Sequence, residues 1–444
     1  MNILFVCPVF PPEIVPSSVM LDQLTRHLGL TGHKVTMITC FPSLPGGKIF
    51  KGYRRRFWKI TDTQTLRLIR CFSFTVGTKR KRVWRALSHI SFGLVAALRL
   101  LFEKKPDVIV ADMVPVISSP FIVFLAKLLG IPVVNYIQDL FPEAVASAGM
   151  IRRQGVAMRI ALMIDALTCR AAGANIVISE SFRRALLNSR GVPDNKIFVL
   201  HNWIDGSEIR PTSRLNLWRA QAGIPRDKFV AMFAGTLGIV SGAEVLVDVA
   251  QELKTSELHD VLILSVGEGV LKEPMIRRSE SLGLDNILFL PFQPAAMLSE
   301  MQSTADVFLL TMDKSHVNSS VPSKLVTYLA MGRPIICATD ENSAVAETVA
   351  QAKCGHVVPP GDAKAIASQI LNLKKSNSER AFFGASGRSY FQEYYDMPAA
   401  MKRFELLLSQ LSTMQQMPKT RGSTVESLLN AEKEDRKTSS TIES

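Results

Sequence analysis

The feature that most limits this chain is a rhythm of short apolar runs separated by helical stretches, and the rhythm starts twice. "NILFVC" near the N-terminus, "KVTMITC" (34–40), "DVIVAD" (107–112), "PVVNYI" (132–137) and "ANIVIS" (174–179) are each the length of one buried strand. Helical spacing fills 17–31, 116–130 and 153–173. Apolar runs joined through helices predict a mostly parallel sheet covered on both faces. The pattern lapses over 202–226, a polar, proline-containing stretch read as the interdomain linker, and then restarts. "FVAMFAG" (229–235), a helix from about 242, "DVLILSVGEG" (260–269), "NILFLPF", "ADVFLLT" and "RPIICAT" form the second series. The expected fold is α/β, with two tandem, Rossmann-like, doubly wound domains. Such sheets bind ligands beyond the carboxyl ends of their strands, and paired domains commonly hold the site in the cleft they face. The expected division is 1–205, 206–388, a helix over 389–411, and a disordered tail over 412–444 that has no aromatic residue.

A chain of 444 residues, 47% hydrophobic, has room for two such cores. Its net charge of +13 is uneven, because residues 48–105 hold sixteen Lys/Arg against two acids, Asp62 and Glu103. That segment includes "KGYRRRFWK", with Arg54, Arg55 and Arg56, and a cluster with Lys79, Arg80, Lys81, Arg82 and Trp84 that opens an apolar helix. A basic, aromatic-bearing apolar helix suits an anionic membrane surface; the alternative is a core helix behind a solvated basic loop. No nucleic-acid reading module is visible, so no nucleic-acid partner is expected. The run after Val83 is broken by Arg85, His89 and Arg99, and "MVPVISSPFIVFLA" stops at Lys127, short of the ~20 apolar residues a span needs. "MNILFVCPVF" reads as a first strand, not a signal peptide. The six cysteines have no paired spacing and read as buried thiols of a reducing compartment.

Several motifs fall at strand ends. The first strand leads into "PVFPPEIVPSSV" instead of GxGxxG, which counts against a dinucleotide-binding oxidoreductase. Glu13 lies in this loop. Ser17 and Ser18 end it, either as helix caps or as cleft-facing groups. In "YIQDLFPEA", Asp139 and Glu143 follow a strand, as a base or acceptor contact or as a solvated turn and a helix-capping acid. His33 reads as structural, and His201 is left open. "FAGTLG" and "VGEG" make glycine corners that let a ligand approach backbone. The sharpest motif is "SSVPSKLVTYLAMGRPII". Pro322 at a helix start loses only an orphan N–H, leaving the amides of Ser323, Lys324 and Leu325 facing outward beside the lysine charge. This is the chemistry of a diphosphate seat that uses no metal. No acidic pair is placed to hold a metal there, since Asp340 and Glu341 follow a different strand.

Taken in order, "FPPEIVPSS", "LGLTGHKVTMITCFPSLPGGKI", "KPDVIVAD", "QDLFPE", "NWID", "GTLG", "VGEG", "VPSKLVTYLAMGRPII" and "CGHVVPPGD" resemble family 4 glycosyltransferases of the GT-B fold over roughly residues 1–410. The resemblance is to the branch that adds fucose or N-acetylfucosamine in bacterial surface polysaccharide synthesis. It implies retaining, metal-independent transfer from a nucleoside-diphosphate sugar, UDP- or GDP-linked, to a lipid-linked saccharide. It also implies a cytoplasmic protein, peripheral at the inner face of the plasma membrane, with no cofactor. The second domain would hold the donor, with Gly235 and Thr236 near the phosphates and Glu268 near the base or ribose. Pro322, Ser323, Lys324 and Leu325 would hold the diphosphate. Glu13, Ser17, Ser18, Asp139 and Glu143 would line the acceptor side, and Asp139 and Lys324 would serve the reacting centre. The 389–411 helix would cross back to the first domain. Two departures stand out. Ser319 and Thr327 replace a pair of glutamates common in the family. Ile239 and Ser241 stand where many members carry an Arg/Lys pair, so Lys324 would face the diphosphate nearly alone. The alternatives are a sugar-nucleotide epimerase of the same architecture and a catalytically weakened, membrane-docked subunit that binds a nucleotide sugar or a partner transferase.

Overall fold

The structure, a computed structural model, describes residues 1–44, 46–74, 82–112, 117–147, 155–256, 260–313 and 322–414, with backbone alone at 82–85 and 413–414. The chain forms two compact units. One comprises residues 1–201 and the chain from Met401 onward; the other comprises Asn202–Ala400.

The first unit is built on an eight-stranded sheet. Its chain runs β1 (Asn2–Val6), α1 (Pro16–Leu30), β2 (Lys34–Cys40), β3 (Trp58–Asp62), β4 (Arg67–Cys71), α2 (Arg82–Leu100), β5 (Val108–Ala111) and α3 (Ser119–Leu128). It continues through β6 (Val133–Ile137), α4 (Glu143–Ser147), α5 (Val156–Ala171), β7 (Ala174–Val177), α6 (Glu180–Arg190) and β8 (Ile197–Val199). The strand order is β3-β4-β2-β1-β5-β6-β7-β8, with every pairing parallel except β3 with β4. The β3–β4 hairpin falls in the basic segment, where its charged residues hide the strand period. β3 is an edge strand and mostly exposed, and its Lys59 helps keep that edge solvated. The α1 crossover runs one way from β1, while the later crossovers run the other way. With right-handed connections, α1 therefore lies on one face and α2, α3, α5 and α6 on the opposite face. α2 packs on α3, α3 on α5, and α5 on α6.

Arg190, at the end of α6, is wholly buried. Its Nη1 and Nη2 reach the Glu143 carboxylate at 2.6 and 2.5 Å, and its Nε reaches Asp165 Oδ2 at 2.9 Å. Nη2 also donates to Phe141 O at 3.0 Å. This fork ties α4, α5 and α6 together, and planar bidentate geometry makes arginine the residue that can do so.

The second unit opens with α7 (Leu217–Gln221) and continues β9 (Phe229–Ala234), α8 (Val245–Thr255), β10 (Val261–Val266), α9 (Lys272–Ser281), β11 (Ile287–Leu290), α10 (Leu298–Ser303) and β12 (Val307–Thr311). Then follow α11 (Ser323–Ala330), β13 (Ile335–Ala338), α12 (Ala344–Ala352), β14 (Gly355–Val358), α13 (Ala363–Lys375) and α14 (Asn377–Tyr394), after which α15 (Met397–Met414) begins in this unit and belongs to the first unit from Met401 onward. Its six strands are all parallel, in the order β11-β10-β9-β12-β13-β14. The chain steps from β9 outward to β10 and β11, then returns to β12 on the other side of β9. That reversal opens a crevice past the carboxyl ends of β9 and β12.

Two expectations are corrected. The stretch 202–226, expected to be the interdomain linker, belongs to the second unit and packs into it. Trp218 joins the core, and buried Arg219 donates to Pro225 O at 2.6 Å, Lys228 O at 2.8 Å and Thr304 O at 3.2 Å. The single helix over 389–411 is the end of α14 and most of α15, broken at Tyr395–Asp396. There Ile204 N donates to Tyr395 O and Met397 N to Ile204 O, both at 3.0 Å, and Pro398 in the first turn of α15 restarts the helix. The expected tail is helical at 412–414, and the rest of it lies outside the described residues. All six cysteines are free and buried.

Replacing Arg190 with Met would strand Asp165 in the interior without its partner. Urea unfolding of R190M is expected to show the first unit destabilised by about 3–5 kcal/mol, the range for breaking a buried pair.

Candidate donor site in the second unit

The site assembles where β9 and β10 end. Gly235 closes β9 with φ +142, a conformation L side chains rarely adopt, and a Cβ there would lie 2.2 Å from Lys324 Cε. The lysine therefore runs directly across the glycine. Its Nζ sits 3.9 Å from the Phe233 ring centroid and 3.4 Å from Thr236 O. Gly267 must also be bare, because a Cβ would meet Gly235 O at 1.9 Å. The 235–242 loop is fastened at both sides. Gly235 N donates to Val266 O at 2.8 Å and Leu237 N to Glu268 O at 2.9 Å. On the β12 side, Thr311 Oγ1 donates to Ser241 O at 2.7 Å and Asp313 N to Val240 O at 3.1 Å. Thr236 is exposed. Glu268 is half exposed and pairs with Lys272 at 2.7 Å.

α11 is pinned to this corner by a residue the motif reading passed over. The buried Tyr328 hydroxyl accepts from Ala234 N at 2.8 Å and donates to Ala234 O at 3.2 Å. Its ring stacks on Phe308 at 4.0 Å. Lys324 and Tyr328 are one turn apart, so both project from one helix face onto the end of β9. Burial pushes the Lys324 ammonium down to about 8. Pro322 precedes the helix as its cap, and Ser323 is its first residue. The expectation of three outward amides is corrected here. Leu325 N is spent on Pro322 O at 3.0 Å, and the Leu325 side chain is fully buried. Among the described residues nothing accepts from the Ser323 and Lys324 amides. Ser319 lies outside the described residues, while Thr327 Oγ1 turns back to Lys324 O at 2.8 Å. Ile239 is exposed, and Ser241 donates to Gly238 O, so neither supplies a cation.

In the first unit the residues expected on the acceptor side are divided in their roles. Glu13 is buried and accepts from Ser43 N at 2.8 Å and Leu44 N at 2.9 Å, which makes it the cap of that loop. Glu143 is held by Arg190. Ser17 and Ser18 are not caps. Val15 takes that place, Pro16 follows, and Ser18 is buried. Asp139 is exposed beyond β6. Sequence reasoning missed Asp112, the residue after β5. Burial, with the Asp139 charge adding to it, pushes this carboxyl up to about 7, although the Cys7 thiol donates to it at 3.9 Å. His33 pairs with Glu405 of α15 at 2.8 Å, and His201 approaches Ile178 O at 2.9 Å. Arg54, Arg55 and Arg56 are exposed ahead of β3. Lys79, Arg80 and Lys81 lie outside the described residues, and Arg82 and Trp84 are described in backbone alone. No group of three metal-ligating side chains occurs among the described residues.

A carboxyl raised in the fold from 3.8 to about 7 loses stability as pH rises between those values, because the unfolded chain ionises first. Asp112→Asn should remove that loss. Thermal melts are expected to show the variant gaining on the parent protein from pH 4 to pH 7, with a constant advantage above.

Comparison with known proteins agrees with this architecture. Residues 17–203 match the glycosyl transferase 4-like domain, and residues 216–390 match glycosyl transferases group 1. WcaI of Escherichia coli (strain K12), assigned to colanic acid biosynthesis as a glycosyl transferase, is 24% identical over 73% of this chain and 79% of its own. WbjE of Pseudomonas aeruginosa, described as a glycosyltransferase, is 22% identical over 75% of this chain and 82% of its own. Anabaena HepE, crystallised in complex with UDP, superposes with a TM-score of 0.65 at 14% identity, covering 92% of this chain and 100% of HepE. The chain is a glycosyltransferase of the GT-B fold, with a 4-like first domain and a group 1 second domain.

Proposed function

We propose that the second unit binds a nucleoside-diphosphate sugar, with its diphosphate against Lys324, the amides of Ser323 and Lys324, and the Gly235–Thr236 corner. The observation that carries this reading is Lys324, held across a bare glycine at the mouth of α11. A helix start supplies unpaired N–H groups and a positive dipole end, and the ammonium adds a full charge. The neighbouring structure of HepE with UDP supports the ligand class.

The reaction we infer is a retaining transfer without metal to a lipid-linked saccharide. The bond from the sugar C1 to the β-phosphate oxygen breaks, and the acceptor oxygen bonds C1 on the same face. The acceptor proton passes to the departing diphosphate. Lys324 and the helix start stabilise the charge that develops on that diphosphate, which is the main catalytic effect required. Asp139 and Asp112 mark the strand ends of the first unit that would receive the acceptor. The ordered motifs favour a fucose or N-acetylfucosamine donor in surface polysaccharide assembly, and the likeness to WcaI supports that setting. A lipid-borne acceptor calls for a protein peripheral to the membrane, with Arg54–Arg56 on its basic side.

The test is a thermal-shift panel with UDP, GDP, ADP and dTDP, with and without magnesium. A diphosphate at about 100 times its Kd is expected to add about 2.7 kcal/mol, independent of magnesium. Lys324→Ala should weaken that ligand by about tenfold or more, the scale of a lost charge-assisted contact. Unchanged binding would remove the seat. No shift with any diphosphate would instead favour a catalytically weakened subunit that binds a partner transferase. Only protonated Lys324 attracts the diphosphate, and its bare pKa is about 8. Affinity should therefore be level near pH 7 and fall above pH 8, by up to about one decade per pH unit, in calorimetric titrations.

A further inference from the structure

We propose that the outer face of α2, α3 and α5 is the surface on which this protein seats on an anionic lipid bilayer. The proposal deepens the membrane reading above and rests on it, but moves the contact from the basic loop to a layer of three helices. These helices lie side by side on one face of the first sheet. Each has an inner stripe in the core and a second apolar stripe facing outward. On α2, Leu87, Leu94 and Leu98 are exposed at seven- and four-residue spacing, and Leu101 continues the line just past the helix end. On α3, Phe124 and Leu128 are exposed one turn apart, Leu128 by 84%. On α5, Val156, Ile160, Met163 and Leu167 follow the same helical spacing, with Val156 exposed by 72%. A helix apolar on both faces is ordinarily buried on both, so the outer stripes call for an apolar neighbour.

Charge selects that neighbour. The three helices contain one carboxylate, Asp165, which is buried and held by Arg190. Lys104, Lys105, Lys127 and Arg159 are exposed on or beside them, and none pairs with a carboxylate among the described residues. An apolar face without exposed acid, rimmed by lysine and arginine, matches the headgroup and acyl boundary of an anionic leaflet. Its border carries an aromatic corner. Exposed Phe57 lies 5.0 Å from Trp58, and Trp58 lies 6.1 Å from exposed Phe102. Trp58 packs on the α2-side core, so this corner joins Arg54–Arg56 to the end of α2. The face stops at α6, where half-buried Glu180 and Arg183 bring a carboxylate to the surface layer and Arg183 pairs with Asp194 just beyond the helix. Helices α8 through α14 of the second unit expose one large apolar side chain, Phe382, so outward stripes are not a general habit of this chain.

The test is flotation of the full chain with phosphatidylcholine vesicles, with and without phosphatidylglycerol. The variants are Ile160→Glu/Met163→Glu on α5, Leu94→Glu/Leu98→Glu on α2, and Phe382→Glu as control. The parent protein and the control should float with the anionic vesicles and be released by salt. Each helix pair should lose binding by about tenfold, with nucleoside diphosphate affinity unchanged. Helix variants that float like the parent would overturn the face while leaving the membrane reading to Arg54–Arg56. A parent protein that does not float would overturn both, and nucleotide binding would still judge the transferase reading. Light scattering that shows a parent dimer, monomeric variants and no flotation would assign the face to a second copy and overturn the lipid proposal.

Discussion

The donor corner depends on the Tyr328 hydroxyl. Ala234 ends β9 and offers both its N–H and its C=O to that one group. Burial forbids leaving either unpaired, so the helix that supplies the hydroxyl has its rotation and height fixed. Lys324, one turn earlier on α11, is thereby delivered to Gly235 instead of to solvent. Phe308 stacks on the Tyr328 ring from β12, so the strands on both sides of the crevice constrain the same helix. Each wall of the site is thus braced by backbone contacts already made, and a ligand would find the geometry formed.

In the first unit a comparable constraint serves stability. Arg190 gathers Glu143, Asp165 and the Phe141 carbonyl behind β6 and β7. Glu143 comes four residues after Asp139, and the two look alike as carboxylates past a strand end. Asp139 is exposed, while Glu143 is half-buried and held by Arg190. What separates them is a partner forty-seven residues further along the chain, which local sequence cannot show.

That difference sets what the sequence could reveal. Strands such as Val108–Ala111 and Phe229–Ala234 were legible because burial on both faces leaves an uninterrupted apolar run, and "PSK" followed by an apolar run located α11. The β3–β4 hairpin was hidden because an edge strand tolerates charge. The break at Tyr395–Asp396 was hidden because its cause is Ile204, far away in the chain. Asp112 was missed for a related reason. Its pKa follows from burial beside Cys7 and from the charge of Asp139, and these groups lie just past the ends of three strands that the fold brings together. Period and punctuation report local structure; pairing and titration report the assembled sheet.

The missing cations after Gly235 can be weighed on the same terms. Ile239 and Ser241 leave Lys324 as the cation shown at this corner, and burial has already weakened its hold on a proton. An anion arriving there would restore that hold, because a nearby opposite charge favours the protonated form. Above pH 8 the free energy of ligand binding would then include re-charging this lysine. A second fixed cation would attract the diphosphate more strongly before reaction, but it would also push the Lys324 pKa lower still. A single lysine over an aromatic ring, with a helix start beside it, keeps ground-state attraction modest and places its charge where the leaving group's charge grows. That is the balance catalysis requires, since only interactions stronger in the transition state than in the bound substrate raise the rate of the chemical step.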